Sequence, residues 1–133
     1  MQKALSDTGA EWIQDLVADF IDNSGENRLQ NAEGDKAFDT PLVGFSRGDD
    51  PLYESYKEFV GPFHWTPLEA FQGEFPDCGA TAGELTVISW ILPHIRATKR
   101  DNRKETFYPA ERWARARIFG EEVNVKLRLH VIA

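Results

Sequence analysis

One stretch of the chain, residues 85–92, constrains the fold more than any other. Its sequence, LTVISWIL, is almost wholly apolar, is rich in β-branched residues and is closed by Pro93. An apolar run of this length is typical of a strand that is buried on both faces. We therefore predict a central β-strand over residues 85–92, in a small sheet that is covered by helices.

Other segments of the chain show apolar residues at helical spacing. From Gly9 to Asp22 six apolar side chains form one face of a predicted helix, and Thr8 with Glu11 fits a capping box at its start. The run Asn23-Ser24-Gly25 predicts where that helix ends. Residues 24–41 are polar and are predicted as a loop, followed by a short strand over residues 42–45.

Two further helices are predicted from their capping residues. Asp50 followed by Pro51 predicts a helix that ends before Gly61, because proline at the first helical position lacks only an N–H that would be unpaired anyway. Thr66-Pro67-Leu68-Glu69 fits a second capping box and predicts a short helix. Residues 73–83 and the basic segment 94–106 are predicted as loops.

The last segment gives two conflicting patterns. Residues 123–131 alternate strictly between apolar and polar, which favours a strand, and Gly120 could end a helix just before them. The same residues continue an apolar helical stripe that starts at Trp113. Pattern alone leaves helix and strand open over residues 122–131. The overall fold class is α+β, with an α/β-like arrangement of helices on a small sheet.

Composition limits the possible functions. The chain has 133 residues, and 41% of them are hydrophobic, as in ordinary globular domains. We treat residues 1–133 as a single domain, in which the tryptophans 12, 65, 90 and 113 are expected in the core. The net charge of −7 argues against general nucleic-acid binding, and no apolar run approaches a membrane span. A single cysteine, Cys78, and the lack of a secretory leader pattern suit the cytoplasm.

The charge is unevenly distributed. Residues 1–93 hold 5 Lys or Arg and 17 Asp or Glu, whereas residues 94–133 hold 10 and 5. The basic part can be one solvated face, or it can meet an anionic ligand or a protein partner.

Gly44-Phe45-Ser46-Arg47-Gly48 matches the G-x-S-x-G pattern of hydrolase nucleophile elbows. An elbow requires a helix that begins directly at the serine, and here Asp50 and Pro51 delay the helix. Ser46 is therefore a remote candidate for a catalytic nucleophile, and a strand-to-helix turn is the alternative. No residue spacing indicates a metal site, and no other catalytic residue is assigned.

Several segments taken together resemble the N-terminal region of iron–sulfur proteins of the epoxyqueuosine-reductase type, which are related to reductive dehalogenases. The resemblance covers residues 41–133, and its most specific block begins at Tyr108. The matching segments are PLVGFS, GDDPL, GPFH, LTVIS and YPxERWAxxRIFGEE.

The resemblance implies a nitroreductase-like, cobalamin-binding type of fold and one long helix from Pro109 to about Ile132. It also implies that these residues form the N-terminal, non-catalytic part of a longer oxidoreductase that carries [4Fe–4S] clusters and cobalamin. The ferredoxin module that would bind the clusters is lacking here, since the chain has one cysteine. The residues expected to face a cofactor or substrate cavity are His94, Tyr108, Arg112, Arg117 and Asn124.

Three functions follow as hypotheses. The chain forms one wall of the cavity of such a redox protein, it is an independent protein-interaction module, or it is a small serine hydrolase that uses Ser46. The expected partners are the remainder of the parent protein and a second copy of the chain. A homodimer is expected because residues 113–132 carry apolar side chains on two helical faces, of which one would lie open.

Overall fold

The structure, a computed structural model, describes the backbone of residues 2–133 and the side chains of residues 9–133. Within that part of the chain there are five α-helices and two β-strands: α1 (Gln2–Asn23), β1 (Leu42–Arg47), α2 (Pro51–Phe59), α3 (Pro67–Glu74), β2 (Thr86–Ile91), α4 (Arg96–Lys104) and α5 (Glu111–Ile132). The two strands pair antiparallel in one small sheet. The α+β class and the long C-terminal helix are as predicted.

The chain divides into two compact units. One unit consists of residues 1–43 and 90–133, and the other of residues 44–89. None of the helices that the structure describes is long and apolar enough to cross a lipid bilayer.

The core of the first unit lies where α5 packs against α1. Val17 and Ile21 of α1 meet Val123 and Leu127 of α5, and all four side chains are at most 2% exposed. These residues follow the helical spacing that the sequence predicts. α5 also packs against α4, so α5 is the element that organises this unit.

The segment between α1 and β1 is a loop, as predicted, and one buried side chain holds it. Gly25 adopts a positive φ of 78° just after α1 ends. The Asn27 amide donates hydrogen bonds to the carbonyl oxygens of Ile21 and Phe38, and its Oδ1 accepts one from the Phe38 N–H. These bonds replace water for a polar group that is 1% exposed. They also fix Phe38, which pairs with His94 in an antiparallel bridge.

Both helix caps predicted for the second unit are confirmed. The Asp50 Oδ1 accepts the Leu52 N–H at 2.9 Å, and Thr66 with Glu69 forms the reciprocal capping box of α3. Between residues 44 and 89, all of which the structure describes, Gly48 is the only buried residue. The second unit therefore has little core of its own.

The prediction of a central strand buried on both faces is wrong. The strand exists as β2, but each of its residues is half-buried or exposed, and Ile91 is 64% exposed. Burial on both faces requires elements packed on each face of the sheet, and the main packing between elements is that of α5 with α1 and α4, so this apolar run does not become a buried layer.

The prediction of a loop over residues 94–106 is also wrong, because α4 occupies Arg96–Lys104. The side chains of Arg, Lys and Ala favour helix, and Thr98 is fully buried on the side facing the unit. In this segment the density of charged residues does not distinguish a loop from an exposed helix.

Two smaller predictions are also wrong. α1 begins at Gln2, so Thr8 lies within the helix instead of at its start, and its side chain lies outside the described residues. Trp12 and Trp65 are 63% and 67% exposed, so they do not belong to the core. The open choice between helix and strand over residues 122–131 is decided for the helix that the resemblance implied, since α5 continues to Ile132.

Candidate functional site

Three of the five residues expected to face a cavity line one cleft in the first unit. We name it the His94 cleft; its volume is about 480 Å³. It runs along α5 and is lined by Phe38, Trp90, Leu92, His94, Ala116, Arg117, Gly120, Glu121 and Asn124. His94, Arg117 and Asn124 are the three predicted residues among them.

Gly120 makes this cleft possible. A Cβ atom at this position would lie 2.6 Å from Cζ of Phe38, well inside contact distance. Gly120 is buried in the middle of α5, where it does not end the helix. The glycine thus allows the Phe38 ring to lie against the helix and form one side of the cleft.

His94 is held between aromatic rings. Its imidazole stacks on Trp113 with centroids 4.7 Å apart, and the Phe38 ring lies 5.8 Å away. The Nδ1 atom is buried and has no hydrogen-bond partner among the described residues. Burial, with a smaller contribution from the charge of Lys99, lowers the pKa of His94 below its usual value, so the imidazole is neutral at pH 7.

One hydrogen bond orients the polar edge of the cleft. The Trp90 indole donates from Nε1 to Oδ1 of Asn124 at 3.0 Å. Because an indole N–H can only donate, the atom facing it must be the amide oxygen, which leaves the Asn124 NH₂ group as a donor. Arg117 lies exposed on the same helix and makes no ion pair with any described residue.

Arg112 lies in a different place and has a different role. Its guanidinium binds Asp35 at 3.0 Å, forms a second ion pair with Asp101 and has Glu33 at 3.9 Å. The Asn31 amide and then Arg112 lower the pKa of Asp35, and Arg112 does the same for Asp101. The arginine therefore joins the loop, α4 and α5, and its charge is already satisfied.

Tyr108 does not reach the cleft. It is 73% exposed and contacts the ring of Phe107 edge-on, with centroids 4.6 Å apart. The structure thus brings His94, Arg117 and Asn124 together and places Arg112 and Tyr108 elsewhere.

Ser46 does not have the geometry of an elbow. It lies within β1, and its hydroxyl is 2.5 Å from the Tyr53 hydroxyl. α2 begins only at Pro51, so the N–H groups of the first helical turn do not surround the serine. The second unit uses Ser46 to join β1 to α2.

Across the part of the chain that the structure describes, no three histidine, cysteine, aspartate or glutamate side chains are grouped to hold a metal ion. Cys78 is exposed.

Sequence reasoning missed the residues that shape the cleft. Phe38 lies in a polar loop, and nothing in the local pattern marks it; Glu121 reads as a surface residue of α5. The sequence pattern predicts Trp90 only as a core residue of the apolar run. Its contact with Asn124 spans 34 positions, so no local spacing could reveal it.

No protein-family model, curated protein or solved structure shows a significant match to this chain.

Proposed function

We propose that this chain is a non-catalytic binding domain that forms one wall of a cofactor or substrate cavity in an iron–sulfur redox protein resembling the epoxyqueuosine reductases. The observation that carries the proposal is the His94 cleft, where residues far apart in sequence present aromatic surface beside hydrogen-bond donors. Such convergence of a few polar groups on apolar walls is typical of ligand sites.

The chemistry of the cleft selects a flat group with an anionic or carbonyl-bearing edge. Trp90 and Phe38 offer aromatic surface, while Arg117 and the Asn124 amide offer donors beside it. Neutral His94 adds no charge. A flat ligand would therefore lie against the rings with its oxygen atoms toward Arg117.

The cofactors of the resembling proteins fit these residues unequally. A [4Fe–4S] cluster takes four thiolates, and this chain has one cysteine, so it does not fit. A cobalamin has a rim of amide side chains that would match the donors of Arg117 and Asn124. The cleft has the volume of a site for a drug-sized ligand, so it would contact one edge of the corrin and would not enclose it. Bound there, the cobalt would supply the redox chemistry.

Equilibrium dialysis of hydroxocobalamin against the purified chain tests this role. We expect weak binding that Arg117→Ala and Asn124→Ala reduce at least about fivefold, since each removes a hydrogen bond to the ligand. Arg128→Ala, an exposed change on the same helix outside the cleft, is the matched control. Failure of the wild-type chain to bind, or equal binding by all variants, would contradict the cavity-wall role. A protein of this kind would act in the cytoplasm, as its single cysteine suggests.

A second function, protein interaction, is favoured by the basic face of α4, which lies outside the cleft. Five basic side chains border a concavity of about 520 Å³ there: Arg96, Lys99, Arg100, Arg103 and Lys104. The serine hydrolase function has no comparable support, because the Ser46 hydroxyl contacts the Tyr53 hydroxyl and not a general base such as histidine.

A further inference from the structure

The outer face of α4 is a continuous row of cations. Arg96, Arg100 and Lys104 are spaced four residues apart, and Lys99 and Arg103 form a parallel row beside them. All five side chains are exposed, opposite the buried Thr98. Among described residues only Arg100 has an anionic partner, its own neighbour Asp101 at 3.2 Å. The other four cations of this helix have no anionic partner among the described residues and are available to meet an anion from outside.

The outer face of α1 carries the complementary pattern. Glu11, Asp15 and Asp19 are also spaced four residues apart, and all three are exposed. They lie opposite the side on which Val17 and Ile21 are buried. No described cation pairs with them; Asp19 accepts a hydrogen bond from the Asn23 amide at 2.7 Å.

The α4 row of Arg96, Arg100 and Lys104 and the α1 row of Glu11, Asp15 and Asp19 match in length and period. Residues four apart on a helix are separated by about 6 Å along the axis, so three charges on each helix span about 12 Å. Within one chain no ion pair joins the two rows among the described residues, although both helices pack against α5. The partner that fits the α4 row is therefore an acidic helix from outside the chain.

We propose that this acidic helix is α1 of a second copy of the chain, and that two copies exchange α1–α4 contacts about a two-fold axis. In such a dimer the same pair of surfaces is used twice, as closed symmetry requires. The net charge of −7 disfavours both nucleic acid and a second copy as partners, but only the second copy offers an acidic row of matching period. Exposed ion pairs are individually weak, so the association is weak and sensitive to salt.

The first test is sedimentation of the wild-type chain at about 0.02 M and about 0.5 M NaCl, where the Debye length falls severalfold. We expect dimers at low salt and a dissociation constant at least about tenfold higher at high salt. A monomer at both salt concentrations would overturn the proposal. So would a dimer that persists at high salt and is lost in Leu129→Lys, because it would assign association to the exposed apolar face of α5.

The second test is a charge exchange between variants. The triple variant Arg96→Glu, Arg100→Glu and Lys104→Glu makes both three-charge rows acidic, and the triple variant Glu11→Lys, Asp15→Lys and Asp19→Lys makes both basic. Each variant alone should be monomeric at low salt, while an equimolar mixture should dimerise, since every contact in the mixed dimer again joins opposite charges. Glu54→Lys, an exposed reversal on α2, is the control and should still dimerise. Folded variants, shown by far-ultraviolet circular dichroism, that stay monomeric when mixed would overturn the proposal.

Discussion

Single atoms decide how closely α5 can approach its neighbours. Gly120 admits the Phe38 ring, and the Asn27 amide fixes the backbone on which that ring is carried. Gly120 looked in the sequence like a possible helix end, because glycine is common there. Its use in the interior of α5 depends on a ring 82 positions away, so the sequence pattern could not disclose it.

Gly120→Ala should destabilise the protein. The added methyl group would lie 2.6 Å from Phe38 Cζ, and overpacking of this kind costs about 1–3 kcal/mol, of which better helix propensity returns at most about 1. Gly9→Ala is the matched control, because it lies in α1 with open space around it and should stabilise by up to about 1 kcal/mol. Urea unfolding of both variants measures the difference, and a Gly120→Ala protein as stable as Gly9→Ala would show that Phe38 moves freely.

At the scale of elements, contacts with α5 decide what the local pattern leaves open. Helix α4 forms where a loop was predicted. Two contacts fix its inner side: Asp101 forms an ion pair with Arg112, and the Oδ1 atom of Asn102 accepts the Ala110 N–H at 3.0 Å. Residues 123–131 form a helix despite strict alternation because Val123 and Leu127 reach the same core. The caps of α2 and α3 were predictable because a cap depends only on neighbouring residues.

Arg112→Met should lower the free energy of unfolding by about 1–3 kcal/mol at pH 7. The methionine keeps the length of the side chain but leaves the half-buried Asp35 without its cation and Asp101 with Arg100 alone. Arg47→Met removes a more exposed pair with Asp49 and should lower stability less than Arg112→Met does, because solvent screens an exposed pair. Urea unfolding of the two variants compares them, and equal losses would contradict the joining role of Arg112.

The effect of Arg112→Met should also depend on pH. In the folded protein the pKa values of Asp35 and Asp101 are lowered, so their stabilisation is complete above the unfolded value of about 3.9 and is lost as pH falls through the folded values. The wild type should therefore lose its advantage over Arg112→Met as the pH falls below about 4. A difference in stability at pH 3 as large as that at pH 7 would contradict the assignment.

At the scale of the whole molecule, the fold class and the long last helix could be predicted, while the site could be predicted only in part. Apolar periodicity located α1, and family resemblance extended α5 over the ambiguous residues. Resemblance also pointed to Arg117 and Asn124, and the position of His94 after a predicted strand pointed to that residue, but only the packing of Phe38 and Trp90 shows that the three share a cleft. Arg112 and Tyr108 match the same block of sequence but lie outside the cleft, because Arg112 lies on a different side of α5 and Tyr108 precedes the helix.

The proposed binding of flat anionic groups in the His94 cleft can be followed directly at the indole N–H of Trp90. In a two-dimensional ¹H–¹⁵N spectrum, titration with benzoate should move the Trp90 indole signal in a saturable way, since this N–H lies in the cleft and donates a hydrogen bond to Asn124. The signals of Trp12 and Trp65, which are exposed and do not line the cleft, should stay in place. Arg117→Ala should weaken the benzoate effect about tenfold through loss of a charge-assisted hydrogen bond. A Trp90 signal that does not move, or that moves no more than those of Trp12 and Trp65, would contradict the claim.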